Sequence, residues 1–322
     1  MPTIPEYRKK HYRSIYELLN ENPRIYEKTV AKKLEIDRNT TSKRMKEAFE
    51  LGFISWPQIR KRSFRNLLEY IYLINCKNPA RWFRKYIQDE DVTYHAVMNG
   101  FANLFIVTRK EIDIKDDAIV FGPRSDYHVA YAPNHTWKTS IQIMREKVAH
   151  FDPEEYEPKG ILKNHWNKIV EWSPQFELLY QYYKRNMRKK VTPAMKKYHI
   201  SGEKTYEWLK NVKKYCTVFV RYFPEGFSSY DPYLFMFETD YEDFVIDLFS
   251  EIPTSPFFYK VSNKLFLFAN VDRRLVKVTD TENEVPDISK LHIPLLIEDL
   301  LEKGIITSEA HAASEYYWIK DL

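Results

Sequence analysis

Glycine is scarce in this chain, and its spacing excludes several motifs that bind nucleotides or carry a nucleophile. The 322 residues contain seven glycines, and the closest two, Gly100 and Gly122, are 22 positions apart. A P-loop and a GxGxxG fingerprint both require closely spaced glycines, so neither is present. The nucleophile motif GxSxG is absent for the same reason.

Cysteine and long apolar runs are lacking as well. Cys76 and Cys216 are the only cysteines and no CxxC is present, so we expect a reducing compartment, no zinc site and no cofactor. No apolar run reaches the roughly 18 residues of a membrane helix. The N-terminal MPTIPEYRKKHYR has no apolar signal-peptide core. These absences predict a cytoplasmic protein with no membrane partner. The histidines nearest to one another are too far apart for HxxxH: His128, His135, His150 and His165.

Positive charge is concentrated in two short windows of the chain. Residues 1–65 hold 16 Lys/Arg against 8 Asp/Glu, a net of +8, and residues 175–221 hold 12 against 3, a net of +9. The windows 66–174 and 222–322 carry net charges of −1 and −11. Basic charge confined to two segments is typical of a protein that binds a polyanion.

The two basic windows begin the two copies of an internal repeat, which has an offset of 163 residues. TVAKKLEIDRNTTSKRMKEAFE (29–50) aligns with TPAMKKYHISGEKTYEWLKNVKK (192–214), and SFRNLLEYIYLIN (63–75) aligns with GFSSYDPYLFMFE (226–238). Identity is low, but the apolar pattern matches. We interpret the chain as a duplicated unit, and two unrelated α+β domains of similar periodicity are the alternative.

The first half of each copy is predicted to be helical. In the first copy, an i, i+3, i+4 apolar pattern indicates a helix around 15–19, and further helices are predicted at 29–34 and 38–50. Asp37 is placed to cap the third helix, and Gly52 is placed to end it. FISWPQIRKRS, which follows, is predicted to form a short β-wing.

The second half of each copy is predicted to be α+β. LLEYIYLIN, VTYHAVMN and NLFIVTR are predicted strands, and PARWFRKYIQD is a predicted helix with Trp82, Phe83 and Tyr86 facing inward. Asn99-Gly100 lies near the junction of the last two strands, where Asn-Gly favours a hairpin. The predicted fold class is α+β, with two tandem units that are each a winged helix-turn-helix followed by a ferredoxin-like β-α-β-β sheet domain.

These elements divide the chain into six predicted segments. They are a winged helix-turn-helix (1–62), an α+β sheet domain (63–125), a connecting helical segment (126–174), a second, degenerate winged helix-turn-helix (175–222), a second α+β sheet domain (223–280) and a C-terminal helical tail (281–322).

The helix at 38–50 has the pattern of a DNA-recognition helix, whose first turn meets base edges in the major groove. Forked and multi-donor side chains match the donors and acceptors of base edges, so base readout is assigned to four residues on its outer face: Arg38, Asn39, Ser42 and Lys43. Phosphate contacts are assigned to the rest of this face, the wing and the second basic segment: Thr40, Arg44, Lys46, Arg60, Lys61, Arg62, Lys189, Lys190, Lys210, Lys213 and Lys214.

TVAKKLEIDRNTTSKRMKEAFELGFI resembles the winged helix of the Lrp/AsnC transcription regulators of bacteria and archaea, in which LA..LGIS.STV..R...L...G.I precedes a β-α-β-β effector domain. DVTYHAVMNGFANLFIVTR is similar to the strand-turn-strand stretch of that family, with Gly100 at its glycine. The resemblance covers roughly 13–110 well and 176–275 weakly. It implies an archaeal-type, sequence-specific transcriptional regulator that binds double-stranded DNA and is not an enzyme.

The resemblance further implies a small-molecule effector at Asn99 and Gly100 and a homodimer through the sheet domains. The family's usual chain is about half this length, so a duplicated chain could build that dimer within itself. The second copy has Ser262-Asn263 in place of Asn99-Gly100, which puts an effector turn there in doubt. We expect the first copy to read the DNA sequence, and the second to contact the DNA backbone or only to pack.

Two other functions remain open. Siroheme decarboxylases of the heme pathway share the Lrp/AsnC architecture, and in such an enzyme His95 and Arg109 would lie on strands that hold tetrapyrrole carboxylates. The arginine-rich segment of those enzymes is absent here, and an ordinary sheet histidine is the interpretation of His95 that we favour. A protein-interaction scaffold is the third function. Its Tyr-rich surface would be YQYYKRNM (180–187), which can equally be a helix with Tyr182 and Tyr183 partly buried.

Overall fold

The chain folds into two compact units, each built from one segment of either half of the sequence. The computed structural model describes residues 4–114, 118–272 and 292–320. Unit 1 combines Met1–Lys61 with Val170–Ser228, and unit 2 combines Arg62–Ile169 with Ser229–Leu322. Residues 273–291, where the predicted second sheet domain ends and the predicted helical tail begins, lie outside the described residues.

The helices and strands follow one another in four runs. The first run, in unit 1, is α1 (Glu6–Glu21), α2 (Glu27–Leu34), α3 (Arg38–Glu50) and β1 (Gln58–Lys61). The second run, in unit 2, is β2 (Tyr70–Ile74), α4 (Pro79–Ile87), β3 (Val92–Gly100), β4 (Leu104–Thr108), β5 (Ala118–Pro123), β6 (His128–Val129) and α5 (Trp137–Ala149). The third run returns to unit 1 with α6 (Pro174–Tyr183), α7 (Val191–Tyr198), α8 (Gly202–Tyr215) and β7 (Cys216–Phe219). The last run completes unit 2 with β8 (Tyr230–Glu238), α9 (Glu242–Phe249), β9 (Phe257–Val261), β10 (Lys264–Asp272), α10 (His292–Glu302) and β11 (Ser308–Ile319).

The two helix-turn-helix motifs of unit 1 have the same local construction. Asp37 caps α3 by accepting from the Thr40 amide at 2.9 Å, as predicted, and Ser201 caps α8 by accepting from the Lys204 amide at 3.2 Å. The helix before each cap ends on a residue with left-handed backbone, at φ 54° in Glu35 and φ 53° in His199. Matching caps and turns in both copies agree with a duplicated, tandem α+β architecture.

The segment that was predicted to be a wing has a different structure. β1 pairs antiparallel with β7 of the other copy, and Ile59 lies opposite Val218. The result is a two-stranded ribbon that joins the two halves of unit 1. Local pattern could not show this, because the hydrogen-bond partner of β1 lies more than 150 positions away in the chain.

Unit 2 is built on one nine-stranded sheet with the strand order β5-β2-β4-β3-β11-β8-β10-β9-β6. One half of unit 2 is ferredoxin-like, and its chain order β-α-β-β-α-β corresponds to β8, α9, β9, β10, α10 and β11. The other half contains β2, α4, β3 and β4. β3 of one half pairs antiparallel with β11 of the other, which joins the two halves into one sheet. Residues 118–129 pair with β2 at their start and with β9 at their end, so the sheet closes on itself.

Strand residues alternate between the inner face of this closed sheet and its helix-covered outer face. On β2, Ile71 and Leu73 belong to the inner core, whereas Tyr72 and Ile74 pack under α4. α5, α9 and α10 cover the outer face of the other half and form its core together with β8 and β10. This alternation is the two-residue period of a strand with both faces buried.

Two sequence expectations for unit 2 differ from the structure. Asn99-Gly100 is the end of β3, and the turn to β4 is made by residues 101–103. Residues 308–319, which were assigned to a helical tail, form β11 in the interior of the sheet. SEAHAASEYYWI mixes polar and apolar residues without a clear period, so its strand state depends on its neighbours β3 and β8. Within the described ranges, no helix has the length and apolarity needed to cross a membrane.

Candidate functional site

The four residues assigned to base readout lie on the exposed side of α3. Arg38, Asn39, Ser42 and Lys43 are all exposed, and Thr41 and Met45 on the opposite side are buried, as the sequence predicted. Of the other residues assigned to this face, Lys46 is exposed and lies 3.7 Å from Glu50. α3 therefore has an accessible cationic face, but that face is narrower than predicted.

Two of the remaining α3 residues are engaged in the fold. Arg44 is buried, and its Nη1 donates to Glu47 Oε2 at 2.6 Å. Thr40 is half-buried and its amide is bound by the Asp37 cap. Arg44 was predicted to lie on the outer face, but its side chain turns towards Glu47 and Tyr7 instead.

The three residues assigned to the wing tip also have structural partners. Lys61 is buried, with its Nζ 2.5 Å from Glu177 Oε2 and 4.8 Å from the centre of the Tyr180 ring. The Arg60 guanidinium donates to the carbonyl of Ile59 at 2.9 Å, and Arg62 lies 3.9 Å from Asp126 Oδ2 in unit 2. Because β1 pairs with β7, these cations do not lie at a free hairpin tip.

The lysines of the second basic segment are exposed, whereas two tyrosines of the Tyr-rich segment are buried. Five lysines are exposed, on α8 and just before α7: Lys189, Lys190, Lys210, Lys213 and Lys214. Tyr180 and Tyr183 are buried in the core of unit 1, where the Tyr183 ring stacks 5.8 Å from Trp208. The Tyr-rich surface of the scaffold interpretation is therefore largely core.

The residues assigned to an effector, Asn99 and Gly100, lie where β3 meets β11. Asn99 pairs with Ala313, and Gly100 pairs with Ala312. Gly100 has φ +150°, and a Cβ there would lie 2.5 Å from the Cα of Ala312. The close approach of two strands explains this glycine without a ligand, and effector binding at these residues remains a prediction.

His95 is the most unusual polar residue in unit 2. It lies on β3 beneath α4 and is fully buried. Among the described residues neither ring nitrogen makes a hydrogen bond of good geometry, although the Phe83 backbone lies close to the ring. Three aromatic rings surround it: Phe83 at 4.2 Å, Trp318 at 5.2 Å and Tyr86 at 6.4 Å between ring centres. Burial lowers the pKa of His95 to about 4, so the imidazole is neutral at pH 7.

His95 lies in a cluster of aromatic rings, and the helix above it carries exposed cations. The Tyr316 ring lies 5.0 Å from Phe83 in an edge-on arrangement and is 43% exposed, so the cluster reaches solvent. On α4, Arg81, Arg84 and Lys85 are exposed. Arg109, the other residue of the enzymatic alternative, follows β4, and its amide donates to the carbonyl of Asp91 at 2.9 Å. A buried neutral imidazole beside aromatic rings and cations is suited to a flat ligand with carboxylate groups.

No group of three or more His, Cys, Asp and Glu side chains in the described parts of the chain could hold a metal ion.

The comparisons with known proteins find a likeness in structure only. No family model and no curated protein sequence matches the chain. A crystal structure of the siroheme decarboxylase NirDL has a similar fold, with a TM-score of 0.50 and 11% sequence identity, over 97% of this chain and 93% of that one. A structure of the same enzyme in co-complex with an iron-uroporphyrin III analogue has a TM-score of 0.47 and 11% identity, over 96% and 92%. The Lrp/AsnC-like fold expected from the sequence is thereby supported.

The same findings correct the functional expectations. The structure that shares the fold with a TM-score of 0.50 is that of an enzyme, and the likeness covers 97% of this chain. The predicted DNA-binding transcriptional regulator, the predicted lack of enzyme activity and the predicted double-stranded DNA partner are therefore wrong. A cationic helix-turn-helix indicates a polyanion but does not define its chemistry, and one fold supports many functions.

Sequence reasoning missed the aromatic neighbours of His95 on β11 and a pair of arginines in unit 1, Arg24 and Arg188. Trp318 is separated from His95 by more than 200 positions, so no local pattern connects them. The two arginines lie 164 positions apart, close to the repeat offset of 163, and comparing charged positions between the copies would have found them.

Proposed function

We propose that this chain is a cytoplasmic enzyme that removes carbon dioxide from carboxylate side chains of siroheme, with unit 2 as the catalytic body. The observation that carries the proposal is the extent of the fold likeness to a siroheme decarboxylase, which covers nearly the whole of both chains. Such coverage includes the winged helices and the sheets of both copies. A shared helix-turn-helix alone would not support it.

The surroundings of His95 support a substrate site beneath α4. Siroheme is an iron tetrapyrrole, and a neutral imidazole nitrogen is a common ligand of such iron. His95 is neutral at pH 7, and among the described residues neither ring nitrogen makes a hydrogen bond of good geometry, although the Phe83 backbone lies close to the ring. The rings of Phe83 and Trp318 offer flat apolar contact for a macrocycle, and the exposed cations of α4 offer partners for its carboxylates.

The reaction requires a dry site and a proton. The bond between the carboxylate carbon and its neighbouring carbon breaks, carbon dioxide leaves, and the neighbouring carbon takes up a proton. A carboxylate that loses its hydration among aromatic rings is destabilised relative to neutral carbon dioxide, which favours the cleavage. Phe83 and Trp318 cover His95 in this structure, so one of these rings must move for the imidazole to meet the substrate.

The test is to incubate the purified chain with siroheme without oxygen. We expect the absorbance of siroheme to shift on binding, and mass spectrometry to detect products that have lost carbon dioxide. His95→Ala should abolish the shift, whereas His150→Ala, which removes an exposed histidine at the end of α5, should retain it. Circular dichroism of both variants checks that they fold. Wild-type protein that neither shifts the absorbance nor changes the mass of siroheme would refute the proposal.

A further inference from the structure

A cavity of about 380 Å³ lies in unit 1, where residues 24–28 meet Arg38 and Arg188. Its size falls at the small end of the range for small-molecule sites. Four of the seven lining residues are cations and one, Glu27, is acidic. The predicted base-reading Arg38 is thus part of a concave site as well as of an exposed helix face.

Glu27 is the one carboxylate among the residues that line this cavity. Among the described residues, Arg24, Lys28, Arg38 and Arg188 make no ion pair within 4.0 Å, whereas Lys61 and Arg44 in the same unit do. Four like charges around one cavity repel one another, and a single carboxylate offsets only part of this repulsion. An anion in the cavity would relieve it.

Arg24 and Arg188 are each held in place by backbone carbonyls of residues next to the other arginine. Nη1 of Arg24 donates to the carbonyls of Met187 and Lys189, the latter at 3.2 Å. In return, Nη1 of Arg188 donates to the carbonyls of Pro23 and Ile25, at 3.4 and 2.8 Å. Burial lowers the pKa of Arg188, the Glu27 carboxylate opposes this by raising it, and the neighbouring Arg24 lowers it. Both guanidinium groups are therefore fixed before any ligand arrives, which reduces the entropy lost on binding.

The start of α2 adds backbone donors beside these side chains. α2 begins at Glu27, and Tyr26 at its cap position provides no side-chain hydrogen bond. The first amides of an uncapped helix need acceptors from outside the helix, and an anion is a suitable one. Tyr26 is 74% exposed, so the cavity opens to solvent.

We infer that this cavity binds a small oxyanion with two or more negative charges, carried by carboxylate or phosphate groups. Arginine forks favour these planar or tetrahedral oxyanions over chloride. The inference concerns unit 1 and does not depend on the function proposed for unit 2.

The test measures binding of pyrophosphate and of citrate to the full chain by calorimetry at low ionic strength, with sodium chloride of matched ionic strength as reference. We expect saturable binding of at least one of the two compounds at one site per chain, and the better one identifies the source of the oxyanion. The double variant Lys28→Gln/Arg38→Gln should weaken binding by about a hundredfold, because each lost charged contact costs about tenfold in affinity.

Lys28 and Arg38 suit the test because neither has a partner in the described structure, so their loss should leave the fold intact. The matched control is Lys32→Gln/Lys43→Gln, which removes two exposed cations from the same helices without touching the cavity. The control should bind as the wild type does. Equal weakening in both double variants, or wild-type binding of neither compound beyond that of chloride, would overturn the inference.

Discussion

Gly100 and Ala312 lie opposite each other where the two halves of the nine-stranded sheet join. A Cβ at Gly100 would lie 2.5 Å from the Cα of Ala312 and would also contact the carbonyl oxygen of His311 too closely. The φ of +150° is one that residues with a side chain rarely adopt. The absence of one side chain thus allows β3 and β11 to pair.

Gly100→Ala is expected to destabilise unit 2 by about 3 kcal/mol, because it adds both a steric overlap and backbone strain. Chemical denaturation measures this loss. Gly304→Ala is the control, since Gly304 also has positive φ, at +66°, but has no atom within 4 Å of an added Cβ. The control should cost about 1 kcal/mol from backbone strain alone. Equal losses in both variants would contradict the close approach of β11.

His95 should make unit 2 less stable in acid. Burial lowers its pKa from 6.5 to about 4, so the folded state excludes a proton that the unfolded state binds. The free energy of unfolding therefore keeps its full value above pH 6.5. It decreases by up to about 3 kcal/mol as pH falls from 6.5 towards 4. Urea unfolding at pH 7, 6, 5 and 4.5 measures it.

His95→Leu isolates this contribution, because leucine is apolar and does not titrate. The difference in unfolding free energy between wild type and variant should change steadily across this pH range, in the direction that favours the variant in acid. A difference that stays constant between pH 7 and 4.5 would show that His95 is not the buried neutral group.

The ion pair between Lys61 on β1 and Glu177 on α6 should stabilise the fold of unit 1. Burial alone raises the pKa of Glu177, but Lys61 and the donors Gln181 and Trp172 outweigh it and hold the pKa below 4.5. The ionised Glu177 therefore contributes to the stability of unit 1 above pH 4.5, and this contribution is lost as pH falls through the lowered pKa. Lys61→Met leaves a half-buried carboxylate without its cation and should cost about 2 kcal/mol at pH 7.

The deficit of Lys61→Met should shrink as pH falls, because protonation removes the unpaired charge. Lys61→Met/Glu177→Gln removes that charge at every pH, so it should be more stable than the single variant at pH 7 and should show little of this pH dependence. Unfolding curves of the three proteins between pH 7 and 4 test both expectations. A single variant whose deficit is constant with pH would argue against the pair.

Local elements were predictable because their causes are local. Asp37 and Thr40 form their cap within one turn, and the apolar spacing of Tyr72, Phe83 and Val97 is typical of the strands and the helix that they occupy. Predictions failed where a strand pairs with another strand that is distant in the sequence. The wing strand β1 pairs with β7, and residues 308–319 have no clear period until β3 and β8 lie beside them.

The candidate site was predictable only in part. His95 was noticed as a strand residue, but its burial depends on Phe83 from α4 and Trp318 from β11. The charge of the first basic window predicted a polyanion partner, and that preference stays a prediction. The DNA partner chosen for it was wrong, because a net charge does not distinguish a duplex from a small anion or a carboxylated macrocycle.

By itself the sequence determined the first helices, most strands, the duplicated α+β architecture and the two chain segments that hold the basic residues, since periodicity, caps and charge act over a few residues. The tertiary structure alone decided which strands join the two halves, which cations are buried in ion pairs, and which imidazole is buried among aromatic rings. Those outcomes depend on contacts between residues more than 100 positions apart, and only the folded chain brings such residues together.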